Sequence, residues 1–536
     1  MARTRPTRRR RKPVRAKRCP KGKKLKKTVH RHRGGKRHAH LRCVPKRKRR
    51  RPQLPVVTPP PVDESPPAPP APPLPSSQPA VGISGLPVYA GPFGPRQAER
   101  LLWRAGFGPA PGQAEALAAL GLRGAVGALT RPLTAEQLIG PEPRGAGGVP
   151  IDPLVGDGHD HLWWLDRMVR TNRPFFERST LVWHDWFATS NAGPVNSRRL
   201  MLEQNDLFRS AGRGSFHELL EKVTCNGAML KWLNGWVNKK GKPDENYGRE
   251  LMELFTLGAD RGAYTESDVR EMGRAHTGWI AQHSDALGFY DFQPAINTNL
   301  HDAGTKTIFG KQGNFTWRDA ARMCVEHPMH ASFLVNKLWG YFIPTPPDDQ
   351  TRSRMEQAYT ANSYNLHQLF EAILLHPDLY EGEPLVKPPV VFAAGLLRAR
   401  QRGVQGAMLT WCEVAGQRLF YPPNVSGWND SAWLDTTTMR ARWMMVSSLL
   451  NDSWIDTASA AGRAYDPTES PSTAVARALA YWGNPAFSAE SRAALGSWSG
   501  SCLPVITTQL EASQVRAVRQ NALRHLVGVS PDLQVS

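Results

Sequence analysis

Residues 1–51 contain no aspartate or glutamate, although the chain carries 46 acidic residues in all. The same stretch holds about 26 of the 69 lysines and arginines. The net charge of +23 and the pI of about 10.1 therefore belong to this segment, and residues 52–536 are slightly acidic. That balance argues against a broad nucleic-acid-binding face on the body. Long hydrophobic runs are also absent. No apolar stretch of the roughly 7–15 residues that an export signal needs follows the arginines before Val81. None reaches the roughly 18 residues of a membrane-spanning helix. By default the expectation is a cytoplasmic chain. Cysteines are few and scattered, with six in total and no CxxC or CxxCH, which removes zinc ribbons and c-type haem attachment. A GxSxG elbow, a P-loop, a GxGxxG fingerprint and an HExxH zinc motif are all missing, and the enzyme classes that need them go with them.

What is present divides into three parts. Residues 1–51, opening MARTRPTRRRRKPVRAKRCPKGKKLKK, cannot bury enough apolar surface to repay chain ordering. They are expected to form a disordered polybasic tail that binds polyanions through salt-sensitive contacts, whether nucleic acid or an anionic envelope polymer. Cys19 and Cys43 bracket His30, His32, His38 and His40, and the alternatives there are two free thiols, a disulfide-closed hairpin or a weak metal site. Residues 52–84 are proline-rich and read as an extended spacer. Residues 85–536 are the body.

The body reads as mainly α, a large multi-helix domain with long loops. His159–Arg170 repeats apolar residues at helical spacing through Leu162, Leu165 and Val169. Pro174 suits the first turn of the next helix. Further helices are expected at 95–103, 113–129, 198–209, 215–223, 246–258, 266–277, 318–326, 330–342, 352–360, 365–375, 388–401, 438–450 and 508–528. Short strands are expected near 278–292 and 305–309. All 17 tryptophans lie in the body, between Trp103 and Trp498, and core filling is the simplest use of them.

Three polar constellations are candidates for chemistry. On a helix from Asn246 to Gly258, with about 100° per residue, Asn246, Arg249, Glu250, Glu253 and Thr256 share one arc. Leu257 intrudes on that arc, so the helix is expected to be buried most of the way round and to pair its charges, as a cation site or as an Arg–Glu lattice. On the helix from Pro174, Glu177, Thr180 and His184 form one stripe and Arg178 and Asp185 the next. A Glu–His pair so placed can supply a metal ligand and its orienter, or a general base; the plainer use of His184 is as a satisfied core histidine. Third, His301, Asp302 and Lys306 lie in the loop NLHDAGTKTIFGKQG, and loops carry function disproportionately. The dipeptides His184–Asp185 and His301–Asp302 bear a weak similarity to the ligands of His–Asp phosphohydrolases. Thr265 and Asp268 form a capping box, TESD, and Lys387–Pro389 reads as a helix start.

The segments RAGFGP at Arg104, ERSTLVWHDWFATS at Glu177, DENYGRELMELFTLG at Asp244, YTESDVREMGRAHTGW at Tyr264, HDAGTKTIFGKQG at His301, VNKLWGYF at Val335, VKPPV at Val386 and GQRLFYPPNVSGWNDSAWL at Gly416 occur in an order that resembles the bacterial domain of unknown function 1800 family. The resemblance is strongest over residues 96–450, and the closing HLVGVSPDLQ is also similar. It implies a mostly helical large domain with no established activity. It also implies a family whose members often look exported and are encoded beside a sulfatase-like partner. The chain departs from the family pattern at His184-Asp185-Trp186-Phe187, where a second histidine is replaced, at Asp244-Glu245-Asn246, and at His276.

Two functions are compatible with these residues. One is a metal-assisted, hydrolase-like enzyme. Its tentative catalytic groups are Glu177, His184 and Glu250, its binding groups Arg178, Asn246, Arg249 and Lys306, and its ligands to a divalent metal Glu253, Asp185, His301 and Asp302. The other is a non-catalytic binding or assembly protein, tethered to a polyanion by residues 1–51. Spatial convergence of the carboxylates and histidines would favour the first, and complete internal pairing the second.

Overall fold

The computed structural model describes residues 23–31, 37–45 and 74–536, apart from 144, 146–147, 283–292 and 502. The chain divides into two units, Met1–Pro60 and Pro61–Ser536. In the first, the backbone pairs Lys23–Arg31 with Arg37–Pro45 as an antiparallel ribbon, with Lys23 opposite Pro45 and His30 opposite His38. The paired segments fall largely between Cys19 and Cys43, where a hairpin was one of the alternatives, and the polybasic segment otherwise keeps its expected character as a tail without a core of its own. A two-stranded ribbon alone is marginally stable at best in water, so the pairing does not supply a core. Cys19, His32 and residues 46–73 lie outside the described residues. The disulfide or metal site weighed for Cys19 and Cys43, and most of the proline spacer, lie there with them.

The second unit is helical, with two small antiparallel ribbons among the described residues: Trp279–Gln282 with Gln293–Ile296, and Lys306–Ile308 with Lys311–Gly313. The periodic segments form the expected helices. His159–Arg170 and Pro174–Trp186 run as read from the sequence, and Pro174 occupies the first turn. The alanine-rich stretch expected as one helix at 113–129 is two, Gln113–Ala118 and Gly121–Thr130. Helices at Gly227–Trp232, Ala407–Val414, Pro471–Tyr481 and Ala489–Ser501 were not expected. No helix among the described residues is long and apolar enough to cross a membrane.

Two apolar clusters make the core. One gathers Trp183, Trp186, Phe187, Phe208 and Phe216, and the other Trp164, Leu165, Phe392, Met445 and Leu523. The tryptophans are mostly core, although Trp236, Trp443 and Trp454 are exposed. The Pro389–Ala399 helix, PVVFAAGLLRA, is buried from Pro389 through Arg398, and its apolar run has no polar face to present to water.

One departure from ideal geometry matters for the expected polar arc. Leu251–Thr256 winds as a π-helical turn. Thr256 Oγ1 donates to Leu251 O at 2.5 Å, and the Leu257 N–H donates to Met252 O at 2.8 Å. The extra residue in the turn rotates every later side chain about the helix axis. Thr256 leaves the arc and is fully buried, and so is Leu257.

Candidate functional site

Glu177 is fully buried and receives four N–H donors: Arg209 Nε (2.6 Å) and Nη2 (3.0 Å), Arg167 Nε (3.1 Å) and Trp164 Nε1 (2.8 Å). Burial pushes its pKa up, but the charge and hydrogen bonds of Arg209, then of Arg167, outweigh burial and hold it below the usual carboxylate range. Its acceptor capacity is spent on arginines. His184, on the same helix, is equally buried and sits against Trp164, Phe420 and Trp428. Its Nε2 accepts the Phe420 N–H at 3.2 Å, and burial pushes its pKa down to about 3, so the ring is neutral. The plainer reading of His184 is the one its contacts describe.

Asp185 does related work. Its Oδ1 accepts the Trp428 N–H at 2.8 Å and its Oδ2 the Tyr341 hydroxyl at 2.7 Å. His161 adds a third clamp, its Nδ1 accepting the Leu419 N–H at 3.0 Å. Three side chains from two neighbouring helices thus hold the main chain of one loop, GQRLFYPPNVSGW. Gly427 sits in that loop at φ +91°, and a Cβ there would lie 2.2 Å from Asp185 Oδ1. The His–Asp dipeptide is a device for holding a loop here.

The remaining predicted residues stand elsewhere. Arg178 is buried and donates from Nε to Arg104 O at 3.2 Å. Arg249 forms a bidentate pair with Glu266, both contacts 2.8 Å, and reaches Glu245 at 3.6 Å. Glu253, on the same arc, accepts from the Tyr264 hydroxyl at 3.5 Å. Glu250 is half-buried, and burial, then the neighbouring Glu253 charge, raises its carboxyl. Asn246 opens its helix with its N–H on Asp244 Oδ1 at 2.9 Å. Asp302 is held by Arg274 at 2.8 and 3.2 Å, the hydrogen bonding to that guanidinium lowering its pKa to about 2. His301 Nδ1 bonds Thr277 O at 2.9 Å. Lys306 is buried and donates to Asp302 O at 2.5 Å and Gly304 O at 3.1 Å. Among the described residues, no three His, Cys, Asp or Glu side chains are grouped to hold a metal ion. The expected site on Glu177, His184, Glu250, Glu253, Asp185, His301 and Asp302 is therefore not assembled. Glu177, His184, Asp185, Glu253, His301 and Asp302 are each engaged locally, by arginines, hydroxyls or main-chain groups.

A different region does form a concave site. A cleft of about 370 Å³ lies along the Pro95–Ala105 helix, lined by Tyr89, Arg96, Glu99, Arg100, Trp103, Tyr380, Lys387 and Asp532 among others. A second hollow of about 240 Å³ shares Arg96, Glu99 and Ala486 with it. The larger volume is at the small end of ligand pockets. One wall is the chain end, which pairs with residues 385–387: the Lys387 N–H donates to Gln534 O at 2.9 Å, and Leu385 and Ser536 exchange N–H bonds at 2.9 Å. Arg104, buried beneath, donates from Nε to Ser536 O at 3.0 Å and from Nη2 to Glu383 O at 3.0 Å.

The charged pair in this cleft is Lys387 and Glu99. Lys387 is buried, donates to Leu533 O at 2.8 Å and lies 3.9 Å from the centre of the Trp103 ring. Trp103 fits because residue 395 is glycine, where a Cβ would meet the indole at 2.1 Å. Glu99 accepts the Trp103 N–H at 3.3 Å and the Ala486 N–H at 2.9 Å. Burial pushes Lys387 down to about 7 against the opposing pull of Glu99, and burial raises Glu99 against that of Lys387. Opposite shifts of two oppositely charged groups in one cleft mark a functional-site candidate. In the sequence Lys387 stands only as part of a helix start. The available signal was a lone charge before the long apolar run PPVVFAAGLL.

The body is mainly helical, with two apolar clusters and buried arginines bonded to main-chain carbonyls. Residues 100–534 match the family model described as Protein of unknown function (DUF1800), so the chain belongs to that family. No curated protein and no solved structure matches the chain.

Proposed function

We propose that the body is a binding module whose ligand occupies the Lys387–Glu99 cleft, and that residues 1–51 tether it to a polyanion. One contrast carries this reading. Glu177, Arg249 and Asp302 are satisfied internally, whereas the cleft gathers both signs of charge beside aromatic rings in a space of about 370 Å³. Arg96 makes no ion pair among the described residues and lines both hollows. Arg96, Arg100 and Lys387 face Glu99, Glu381 and Asp532 around the cleft. Such a lining suits a small polar ligand carrying both charges, an amino acid or a peptide terminus, with Trp103 and Tyr89 offering flat apolar surface. Three stretches on which the family resemblance rests, around Arg104, Lys387 and the C-terminal PDLQ, meet there. The Glu177 and Glu250 helices offer a metal-assisted hydrolase no gathered ligand set among the described residues.

Two experiments test the proposal. A panel of amino acids and short peptides is screened against the full chain by thermal shift, beside Arg96→Gln and Lys387→Met. Hits that stabilise the wild type and lose the effect in both variants support the cleft; hits indifferent to both place the ligand elsewhere. Separately, binding to a DNA duplex and to polyphosphate is measured between about 50 and 200 mM salt, where a multi-contact electrostatic complex weakens steeply. The tether reading requires binding that falls with salt and is lost when residues 1–51 are removed. Binding that survives the deletion defeats it.

A further inference from the structure

The first turns of the Pro174–Trp186 helix carry a second arrangement that the proposed function does not use. Arg213 places its guanidinium carbon 3.5 Å from the centre of the Phe176 ring, and Arg173 places its own at 5.1 Å. Neither has a carboxylate partner among the described residues. Arg213 Nη1 reaches only Ser179 Oγ, at 3.4 Å, and Arg173 donates to Thr134 O while its Nε is buried without an acceptor. The acidic groups nearby are already engaged. Glu177 is held by Arg209 and Arg167, Glu136 by Arg167 at 2.7 Å, and Asp206 by Arg209 at 2.5 Å.

Two half-buried guanidiniums without counter-ions are costly, since a desolvated cation needs a paired anion to repay the loss of water. Here they also stand at the positive end of a 13-residue helix, because Arg173 is the residue that precedes its first turn. Both guanidiniums pack on the one Phe176 ring, and planar forks so fixed match tetrahedral oxyanions through paired N–H donors.

We propose that Arg173 and Arg213 form an oxyanion site over Phe176 that takes a phosphate or sulfate group. Arg209 and Arg167 support it indirectly, because pairing with Glu177 removes the carboxylate that would otherwise compete for the two guanidiniums.

The test is the melting temperature of the full chain in rising phosphate or sulfate at constant ionic strength, with chloride as the balancing salt. An anion bound to the folded site raises the melting point. Anions gathered on the polybasic segment do not, provided that segment is equally accessible before and after the body unfolds. The expected result is a rise with phosphate or sulfate beyond that in chloride. The concentration needed should increase at least about tenfold in Arg213→Gln, and the rise should vanish in Arg173→Gln/Arg213→Gln. Arg213→Lys keeps the charge without the fork and should also weaken the effect; it serves if the glutamine variants do not fold. The larger of the phosphate and sulfate shifts names the group the site prefers. A shift equal to that in chloride, or one retained in the double variant or undiminished in Arg213→Lys, overturns the proposal.

Discussion

Replacing Glu177 by glutamine separates a structural carboxylate from a catalytic one. The substitution keeps the shape and removes the charge, and it turns an NH₂ group towards donors. Glu177 has no exposed side-chain surface, and its partners are nearly as covered, Arg209 at 12% and Arg167 at 17%. Breaking a buried ion pair from one side costs about 3–5 kcal/mol, because the other charge is left uncompensated. The lower end applies here, since Arg167 keeps Glu136 at 2.7 Å and Arg209 keeps Asp206 at 2.5 Å. Glu177→Gln should therefore lose about 3 kcal/mol, a large part of the roughly 5–15 kcal/mol that holds a typical domain. The assay is urea unfolding, read as a fall in midpoint at unchanged slope. Adding Arg209→Gln should cost less than the sum of the two single changes, because the two residues are in direct contact. The pH dependence has a definite sign. The folded pKa of Glu177 is depressed, so its contribution is fully present above the ordinary carboxylate pKa and is lost as pH falls through the folded value. The gap between wild type and variant should close in acid. A carboxylate kept for ligand or catalysis behaves differently, and its removal is commonly neutral or stabilising. A Glu177→Gln protein within about 0.5 kcal/mol of the wild type, inside the range of ordinary surface substitutions, would refute the lattice reading and return Glu177 to the candidate catalysts.

Lys387, with its pKa near 7, should make stability rise between about pH 7 and the ordinary lysine pKa of about 10.5, where the unfolded chain holds the extra proton. The slope reaches about 1.4 kcal/mol per pH unit at most, and Lys387→Met should remove that component of the pH-stability curve. Gly427→Ala forces a Cβ to 2.2 Å from Asp185 Oδ1 at φ +91°, so it should cost about 1–3 kcal/mol and loosen the loop, measurable by hydrogen exchange at Phe420 and Trp428. Metal content by mass spectrometry should not differ between wild type and Glu250→Gln/Glu253→Gln, and the loss of one equivalent in the variant would revive a metal site there.

Periodic patterning made much of the helical body legible from the residues alone. His159–Arg170 and Pro174–Trp186 repeat apolar residues at helical spacing, and a proline marks the second start. The helices that escaped notice have weak patterns. Ala489–Ser501 buries only Leu495 and Ser499, so its sequence carries almost no apolar stripe to read. The stripe on Asn246–Gly258 failed for another reason. A wheel at 100° per residue assumes i to i−4 bonding, and the π turn at Leu251–Thr256 breaks that assumption without any proline or glycine to announce it. Thr256 consequently turns inward, where its carbonyl bonds His330 Nδ1 at 2.9 Å.

The candidate site was harder to read for a reason of chemistry. A histidine that binds a metal and a histidine that accepts a main-chain N–H present the same residue type, the same burial and the same neighbouring aspartate. What separates them is the partner. For His161, His184 and Asp185 the partners are the amides of Leu419, Phe420 and Trp428, and a backbone amide has no signature in a sequence. The dipeptide His184–Asp185 thus carried a real signal of long-range contact, but the partners are main-chain N–H donors in place of a metal ion. The cleft shows the converse. Lys387 shares the cleft with Glu99 across 288 positions of chain and bonds Leu533 across 146, and each is ordinary in its own segment. Their shared burial, which moves Lys387 and Glu99 in opposite directions, exists only after three distant stretches have been folded onto the Pro95–Ala105 helix. A charge that precedes an apolar run is therefore a better pointer to a site in this fold than a paired dipeptide. The run obliges the charge to be buried, and a buried charge must find a partner.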